Sequence, residues 1–551
     1  MVGSQLLSTS HLQRLKQLEK HFSRNETYDV DIVTLAGILV CSERYVSKLM
    51  AAFESFGLIH WASGQGRGHR SKLTLLKSFE ASLLTQLEQM ARSGRMNQAF
   101  RLATQFGEVR LFQDHIPLWL GDAQQELKKQ NTLMYLVPYM LPEWRPHLAQ
   151  SARSILLIES VFDTLVRYDP IQNDIVPHIA HQFHFSDKQI RLRIRNDIMM
   201  HNGEALTPEL VKKNIEMRLN TPHPYQILFR HVERIDIDKQ WVIFSMRQSD
   251  PVLLHLLADS HSAIFDYQAS KPIGCGAYRV ESLEKQYWSL VRNNHYFGFG
   301  GHIERVEFWC SDAQPQTPMH VAELLYCESQ PTQPQKVDSS GCTVLQFHHH
   351  ANALSAQERA WLVHHSRRFT LDSQKRAANS VMDSHQDKGF HLFNHDMKLP
   401  SRPVVIEVID SHMRELQPLL DALSQKGVIW QVCLQGQSQD VAVDVSYDCY
   451  VFGDDLTFQY YEWLLCGNVF SRCLPERGKQ SLLTFIDLLM QESNDSEEFL
   501  HKLYRAEDWL IQNYYYCPLW RNHSTVTRAD NLYGTETNNM GVMSLVNMWL
   551  E

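Results

Sequence analysis

The segment spanning residues 32–76 constrains the fold of this chain more than any other, because its pattern is helix, tight turn, helix and hairpin. A short apolar helix is predicted around Ile32–Val40, and a longer helix follows from about Ser42 to Phe56. Gly57 ends the longer helix in the manner of a C-cap residue. Two helices joined by a tight turn are typical of a helix-turn-helix.

The longer helix has two chemically different faces. Its apolar face carries Val46, Leu49, Met50 and Phe53 at helical spacing, and we expect that face to be buried. The candidate DNA-contacting residues lie on the opposite face: Arg44, Ser47, Lys48 and Ala51. These residue types can reach phosphates and base edges, and an alanine permits close approach. Ser42 is predicted to be the N-cap.

A basic hairpin follows the longer helix. Leu58–Trp61 and Ser71–Leu76 predict two strands around the glycine-rich tip Ser63–Gly68, where glycines allow a tight turn. The candidate DNA-contacting residues of this wing are Arg67, His69, Arg70 and Lys72. The alternative is an amphipathic helix followed by a solvated hairpin. All three elements in this order favour double-stranded DNA as the partner.

Length and charge indicate a small DNA-binding head on a larger body. A chain of 551 residues is too long for one hydrophobic core. Residues 1–78 hold ten Lys and Arg against six Asp and Glu, whereas the whole chain has a net charge of −9. This balance argues against a protein that coats nucleic acid along its whole length, and it fits local DNA contact.

The rest of the chain carries mixed helix and strand patterns. Residues 79–106 predict helix interrupted at Ser93-Gly94, and residues 107–130 predict a connector. Residues 312–340, rich in Gln, Pro, Ser and Thr, predict a long surface loop. The other predicted strands are Leu133–Met140, Ile190–Ile194, Trp241–Met246, Tyr287–Arg292, Val404–Ile409 and Cys449–Phe452, and the predicted helices are Pro208–Leu219 and Gln417–Ser424. Alternating strands and helices favour an α/β body.

Two stretches of the body resemble the family 5 extracellular solute-binding proteins. Residues 159–216 match the start of that family's N-terminal lobe through Leu165, Asp169, Pro177–Ala180, Arg191–Arg195 and Gly203–Val211. Residues 271–309 resemble the block that begins P-φ-G-T-G-P-Y. Here Cys275 replaces the threonine and Ala277 the proline, and both keep a small side chain at a glycine turn. The resemblance implies a two-lobed α/β body that closes around a ligand.

A winged helix joined to such a body resembles the SgrR-type transcriptional regulators of the sugar-phosphate stress response. The wing GRGHRSKLTLL and the tract NHYFGFGGHIERVEFW carry the greatest similarity. The resemblance implies DNA binding by the N-terminal domain and a response to a small metabolite. It also implies control, as activator or repressor, of target genes that include a small regulatory RNA.

The predicted fold class is therefore multidomain α/β. Residues 1–116 are predicted to form a winged helix-turn-helix with a helical connector, an α+β unit. Residues 130–551 are predicted to form a two-lobed, periplasmic-binding-protein-like ligand-sensing region. The expected ligand is a phosphorylated sugar or a peptide.

The alternative is a transport-associated oligopeptide-binding protein with an N-terminal interaction module. That alternative requires export. The start of the sequence lacks the apolar core of a secretory signal, and no uninterrupted apolar run reaches the length of a membrane span. The expectation is therefore a cytoplasmic protein without a membrane partner.

Other chemistry has little support in the sequence. Neither G-x-S-x-G nor H-E-x-x-H occurs, so we do not expect an enzyme. No cofactor is expected, because the glycines at Gly298, Gly300 and Gly301 lack a P-loop lysine. No metal is expected either, because His348–His350 lack companion ligands at metal-binding spacing and no C-x-x-C pair occurs.

Three residues are candidates for contact with the ligand. Trp288 and Trp463 could stack on a ligand, although packing in the core is the alternative for both. Asp454 and its neighbour Asp455 follow a predicted strand, Tyr450–Phe452, where peptide-binding relatives place an acidic group near the ligand amine. A carboxylate suits a cation or a peptide and has the wrong sign for a sugar phosphate. The alternative for Asp454 is a solvated turn.

Overall fold

The computed structural model divides into two compact units. One unit holds residues 1–139, 309–316 and 326–328, and the other holds residues 140–308, 317–325 and 329–551. The residues that the structure describes are 7–64, 70–116, 118–119, 131–137, 139–186, 188–310, 324–326, 335–373, 375–382, 396–435, 441–493, 495–526, 532–540 and 542–551. No helix in these ranges is long and apolar enough to cross a lipid bilayer.

The smaller unit begins with a helical domain that carries a three-stranded sheet. Its elements are α1 (Thr9–Glu19), β1 (Thr27–Val30), α2 (Ile32–Leu39), α3 (Glu43–Ser55), β2 (Ile59–Ala62), β3 (Ser71–Leu75), α4 (Phe79–Arg92), α5 (Met96–Phe106) and β4 (Thr132–Val137). Strands β1, β3 and β2 form one antiparallel sheet in that order. The predicted hairpin is therefore confirmed, and it gains β1 as a third strand that the sequence pattern did not indicate.

The helix-turn-helix is confirmed in its elements. The Asp31 side chain caps α2 by accepting from the Thr34 amide at 2.6 Å. Val40 ends α2 in the left-handed conformation, with φ 48°, which is strained for a β-branched residue. Ser42 occupies the N-cap position of α3 but makes no side-chain capping hydrogen bond.

The apolar face of α3 is buried as predicted. Its core residues are Val46, Leu49, Met50 and Phe53, each no more than 2% exposed. Leu35 and Leu39 of α2 are fully buried as well. Burial of this stripe fixes which side of α3 faces solvent.

The helical region after the wing is split where the sequence predicts. Helix α4 ends at Arg92, Gly94 has a positive φ of 73°, and α5 starts at Met96. Residues 109–116 are helical too, so the connector predicted for residues 107–130 begins as a helix.

The larger unit is the α/β body. Its helices are α6 (Ala152–Val161), α7 (Pro208–Asn220), α8 (Leu253–Ala258), α9 (Ala356–Asp372), α10 (Met413–Ser424), α11 (Leu456–Cys466), α12 (Glu476–Gln491) and α13 (Ser496–Gln512). Its strands include β5 (Val166–Asp169), β6 (Asp174–Pro177), β7 (Ala180–Ser186), β8 (Gln189–Ile194), β9 (Val232–Asp238), β10 (Trp241–Met246), β11 (Tyr278–Leu283) and β12 (Tyr287–Arg292). Strand β13 (Arg305–Cys310) and strand β14 (Leu324–Tyr326) have residues in both units.

The remaining strands form a mixed five-stranded sheet and a separate two-stranded sheet. They are β15 (Gln335–Phe347), β16 (Val404–Val408), β17 (Trp430–Leu434), β18 (Val445–Cys449) and β19 (Tyr516–Val526), and a short pair follows, β20 (Leu532–Tyr533) and β21 (Trp549–Leu550). The mixed sheet has the order β17-β16-β18-β15-β19, with β16 parallel to both of its neighbours. A separate antiparallel sheet has the order β7-β8-β10-β9. Two sheets with helices packed on them confirm the α/β prediction.

Two predictions for this body are wrong in detail. The strand predicted at Cys449–Phe452 is β18, which ends at Cys449, so Tyr450–Phe452 follow the strand. The loop predicted for residues 312–340 contains β14 and the start of β15. The polar composition of that stretch is typical of a loop, but residues 335–338 pair with β19, about 190 positions away, and local composition does not report such pairing.

The glycine turn of the resemblance packs tightly against the end of α6. The Gly276 amide donates to the Val161 carbonyl oxygen at 3.0 Å. A Cβ at Gly276 would lie 2.7 Å from the Ser160 carbonyl oxygen and 2.6 Å from the Val161 carbonyl carbon. Glycine is required there because two backbone segments touch. Cys275 and Ala277 are buried beside it.

We therefore expect Gly276→Ala to lower the free energy of unfolding by about 1–3 kcal/mol, since the added methyl group must push the backbone of α6 away. Urea denaturation followed by tryptophan fluorescence measures the change. Gly300→Ala is the matched control, because the nearest atom to a Cβ there is 3.6 Å away. Equal stability of the two variants would contradict the packing argument.

Candidate functional site

The first candidate site is the solvent-facing side of α3. Arg44, Ser47, Lys48 and Ala51 are all exposed, whereas the opposite side of the same helix is buried in the core. Arg44 lies three and four residues before Ser47 and Lys48, and Ala51 lies four and three residues after them, so all four lie on one side of the helix. This face joins two cations, a hydroxyl and a small residue, the set that the sequence singled out.

The second part of this site is the wing. Arg70 and Lys72 are exposed, and Lys72 lies on β3 opposite Ala62. The Gly64 amide donates to the Ser71 hydroxyl at 3.1 Å, which ties the two arms of the hairpin together near its tip. Arg67 and His69 lie outside the described residues.

The second candidate site is a cavity inside the larger unit, with a volume of about 640 Å³. Its wall combines the C-terminal end of α6, the start of β5, the segment after α8, and the start of α11. The tract around Tyr296–Phe299 and the C-terminal residues 538–547 complete it. The wall thus joins segments that are far apart in the chain.

The three ligand-contact candidates are not brought together by the fold. Asp454 lines the cavity, whereas neither tryptophan is among the described residues of the wall. Trp288 is 2% exposed and stacks on Phe308, with ring centroids 5.2 Å apart. Trp463 is 4% exposed and packs edge-on against Tyr516. Their positions favour the packing alternative for both tryptophans.

Asp163 is a buried charged group of the cavity wall. Its side chain is 4% exposed and accepts hydrogen bonds from Arg167 at 2.6 Å and from His178 at 2.7 Å. Arg167 also donates to the Tyr296 hydroxyl at 3.2 Å. Burial by itself would raise the pKa of Asp163, but the His178 hydrogen bond and the Arg167 charge lower that pKa below its ordinary value.

The acidic groups near the entrance of α11 have different partners. The Asp455 side chain accepts from the Phe458 amide at 3.1 Å and pairs with His255 at 2.6 Å, so it caps the helix. Asp454 accepts from the Asn539 amide at 3.0 Å and has no ion-pair partner within the described chain. The helix cap therefore fixes Asp455 in place and leaves the Asp454 charge uncompensated.

Glu159 on α6 adds a further carboxylate that water inside the cavity can reach. The surrounding protein desolvates it, and Asp259 adds a like charge, so the pKa of Glu159 is raised to about 7. A positively charged neighbour would stabilise the ionised form of this carboxylate.

The charge balance of the described wall is negative. Its carboxylates are Glu159, Asp163, Asp259, Asp454 and Asp455, and its basic side chains are Arg167, Arg195, His178 and His255. Arg167 is committed to Asp163, and Arg195 pairs with Asp197 at 3.1 Å. The cavity can thus hold a positively charged group through carboxylates that lack a basic partner.

Sequence reasoning missed the acids that shape this cavity. Glu159 and Asp163 lie in the stretch that resembles the solute-binding family, but neither is among the matched motif positions. Residue type and local spacing gave no separate signal, because their partners come from β5, β6–β7 and the Tyr296 tract.

We expect Asp163→Asn to lower the free energy of unfolding by about 1–3 kcal/mol at pH 7, since Arg167 and His178 lose their charged acceptor; the figure is reduced because Arg167 is half exposed. A carboxylate with a lowered pKa contributes stability at pH values above its ordinary pKa and loses it as pH falls through the folded-state pKa. The difference between wild type and variant should therefore shrink in acid. Urea denaturation at several pH values measures it.

The exposed Asp238 provides the matched control for this variant, as Asp238→Asn makes the same substitution at a strand end. We expect no change in the free energy of unfolding for the control. An Asp163→Asn protein as stable as wild type at pH 7 would contradict the assigned network.

Two protein families match separate parts of the chain. Residues 11–125 match the family described as "Sugar transport-related sRNA regulator N-term". Residues 174–335 match the bacterial extracellular solute-binding proteins of family 5.

Curated relatives are similar over part of their length. A protein named HTH-type transcriptional regulator SgrR from Pectobacterium atrosepticum is 24% identical over 313 residues, 55% of each chain. The protein of the same name from Photorhabdus laumondii is 23% identical over 364 residues, 64% of this chain and 63% of the relative. The matches therefore span between half and two thirds of these two relatives.

Solved structures share the fold of the larger unit. The murein tripeptide binding protein of Escherichia coli aligns with a TM-score of 0.61 at 13% identity, over 76% of this chain and 98% of its own. A dipeptide binding protein from a Pseudoalteromonas species aligns with a TM-score of 0.62 at 12% identity, over 76% of this chain and 100% of its own. The solved structures show the fold of the larger unit, and the two family matches show that the chain joins a sugar-transport-related sRNA regulator N-terminal segment to a family 5 solute-binding segment, as the SgrR-type resemblance implies.

Proposed function

We propose that this protein is a DNA-binding transcriptional regulator whose solute-binding domain senses a small molecule. The observation that carries the proposal is the exposed face of α3, where Arg44, Ser47, Lys48 and Ala51 stand over a fully packed apolar face. The N-terminal family match and the curated relatives named as transcriptional regulators support it. A role in transcription places the protein in the cytoplasm.

In this proposal α3 is the recognition helix and enters the major groove of double-stranded DNA. Arg44 lies in the first turn, the part of a recognition helix that contacts base edges. Lys48 contacts a phosphate or a base, and Ala51 lets the helix lie close to the groove. The wing adds Arg70 and Lys72, with Arg67 and His69 from its tip, as contacts to the phosphate backbone.

The cavity of the larger unit is the proposed sensing site. A volume of about 640 Å³ suits a molecule the size of a short peptide or a sugar phosphate. The ligand acts by binding one conformation of the body more tightly than another, which shifts the equilibrium between them. The carboxylates of Glu159 and Asp454 favour a ligand with a positive group, so a peptide amine fits the protein side chains better than a free phosphate does.

A transport-associated binding protein is the second candidate function. The fold match to peptide-binding proteins over about three quarters of the chain favours it. The two functions differ in one measurable property, because a binding protein of that kind has no reason to bind DNA. Control of a small regulatory RNA gene is part of the first function. It requires the DNA binding that distinguishes the two candidate functions.

We expect Arg44→Ala to weaken binding to a selected DNA fragment by about 1–3 kcal/mol, because a base contact is lost. Lys48→Ala should weaken binding to all sequences and reduce the slope of log K against log salt by about one. Fluorescence anisotropy of the full chain, with fragments that it enriches from sheared genomic DNA, measures both effects.

The charge-matched control is Arg92→Ala, because Arg92 pairs with Glu88 on α4 at 2.8 Å and lies outside the helix-turn-helix. Its DNA affinity should equal that of wild type. Unchanged affinity of the Arg44→Ala, Lys48→Ala double variant would contradict the assignment of α3 as the recognition helix, and a complete lack of DNA binding by wild type would favour the binding-protein alternative.

We expect short peptides with a free amine to raise the melting temperature of the full chain in a concentration-dependent way, in a buffer with a chelator. Their N-acetylated forms and hexose phosphates should have smaller effects, because they offer no positive group to the carboxylates. Asp454→Asn should reduce the shift, whereas Asp238→Asn should not. A larger shift with hexose phosphates than with peptides would contradict the charge argument.

A further inference from the structure

Three metal-ligating side chains meet at the edge of the cavity. Asp259 and His261 lie in the segment directly after α8, and Glu462 lies on α11, about 200 positions later. One donor atom from each lies within 4.8 Å of the other two. His261 Nδ1 is 2.5 Å from Asp259 Oδ1 and 3.9 Å from Glu462 Oε1. The fold therefore gathers one imidazole and two carboxylates around a single point.

The imidazole is oriented as a metal ligand requires. His261 is 7% exposed, and its Nε2 contacts the Ala149 carbonyl oxygen at 3.2 Å, so that nitrogen carries a hydrogen. The Tyr225 ring covers the imidazole, with centroids 3.7 Å apart. A backbone carbonyl that holds the far ring nitrogen is the usual outer partner of a metal-bound histidine. Nδ1 consequently points at the two carboxylates.

The side chain of Gln459 contacts both carboxylates. The Gln459 side-chain nitrogen donates to Asp259 Oδ2 and to Glu462 Oε2, each at 3.4 Å. The oxygen of the same amide accepts from the Gly453 backbone nitrogen at 3.0 Å, which fixes the amide nitrogen toward the acids. Both acids are thus aligned and remain partly exposed, while Asp259 and Gln459 also line the cavity.

We propose that Asp259, His261 and Glu462 form a binding site for a divalent transition-metal ion. The ion takes the place of the hydrogen between His261 Nδ1 and Asp259, and a small opening of that contact admits it. An imidazole nitrogen with two carboxylate oxygens suits Zn²⁺ and its first-row neighbours, whereas Mg²⁺ and Ca²⁺ prefer oxygen ligands alone. Asp259 also lines the cavity, so an ion held by it would lie at the cavity edge.

This proposal departs from the sequence expectation of no metal. The run His348–His350 places three histidines side by side in the sequence, but the structure brings together an Asp-x-His pair and a glutamate far along the chain. In a chain with 28 histidines, an Asp-x-His pair by itself carries almost no signal. The site depends on the packing of α11 beside the segment after α8.

The test is calorimetric titration of Zn²⁺, and separately of Mg²⁺, into the full-length untagged chain after exhaustive chelator dialysis. We expect one equivalent of Zn²⁺ to bind saturably and Mg²⁺ to bind far more weakly. Glu462→Gln keeps the shape of the side chain, and His261→Gln can keep the donation to Ala149. Each should weaken Zn²⁺ binding by at least about tenfold. Circular dichroism of each variant verifies folding.

Two matched substitutions serve as controls. Glu476→Gln alters a glutamate that is 78% exposed, and His349→Gln alters an exposed histidine of the His348–His350 run. Both should bind Zn²⁺ as wild type does. As a measurement that needs no variant, Co²⁺ bound to wild type should show visible absorption that Zn²⁺ abolishes. Lack of saturable Zn²⁺ binding, equal affinity for Mg²⁺, or loss of binding in His349→Gln with retention in Glu462→Gln would overturn the proposal.

Discussion

The buried carboxylate of Asp163 is the constraint on which the cavity wall depends. Its backbone oxygen accepts from the Ile264 amide at 2.8 Å, and its side chain accepts from Arg167 and His178. A carboxylate buried without such donors would cost several kcal/mol, so the segments that supply them must stay in place. The Asp163 side chain thereby ties the end of α6 to the start of β5 and to the link from β6 to β7, and its backbone oxygen adds the segment at Ile264. The glycine turn at Gly276 closes against the same end of α6, which leaves the wall little freedom.

How much of the proposed DNA-binding face can be predicted from the sequence depends on how local each interaction is. Apolar residues three or four positions apart predict the helices α2 and α3. Because this spacing is local, the buried faces and the bounds of both helices agree closely with the prediction. Strand β1 is different. Its four residues bury only Val30, and they pair with β3 more than 40 positions away. No alternation marks such a strand, because tertiary pairing and not propensity creates it.

The residues that line the cavity can be predicted only in part from residue type. The family resemblance predicts the α/β body, yet residue type alone cannot tell a ligand-facing tryptophan from a core tryptophan, and Trp288 and Trp463 pack in the core. The position of Asp454 after a strand indicates a cavity residue, and Asp454 does line the cavity. The pattern gives no such signal for Glu159, because its pKa is raised first by burial in the folded protein and then by Asp259, a like charge 100 positions away.

Electrostatics connects the sensing proposal with the metal proposal. Carboxylates that crowd a partly desolvated wall repel one another, and each added negative charge raises the free energy of the empty cavity. A positive group lowers that free energy, whether it belongs to the ligand or is an ion held by Asp259, His261 and Glu462. The two cases favour ligands of opposite charge. With the ion absent, Glu159 and Asp454 favour an amine; with the ion present, its open coordination positions attract an anionic oxygen, which a phosphorylated sugar supplies. Under the two proposals together, the charge of the ligand that the cavity prefers depends on whether Asp259, His261 and Glu462 hold an ion.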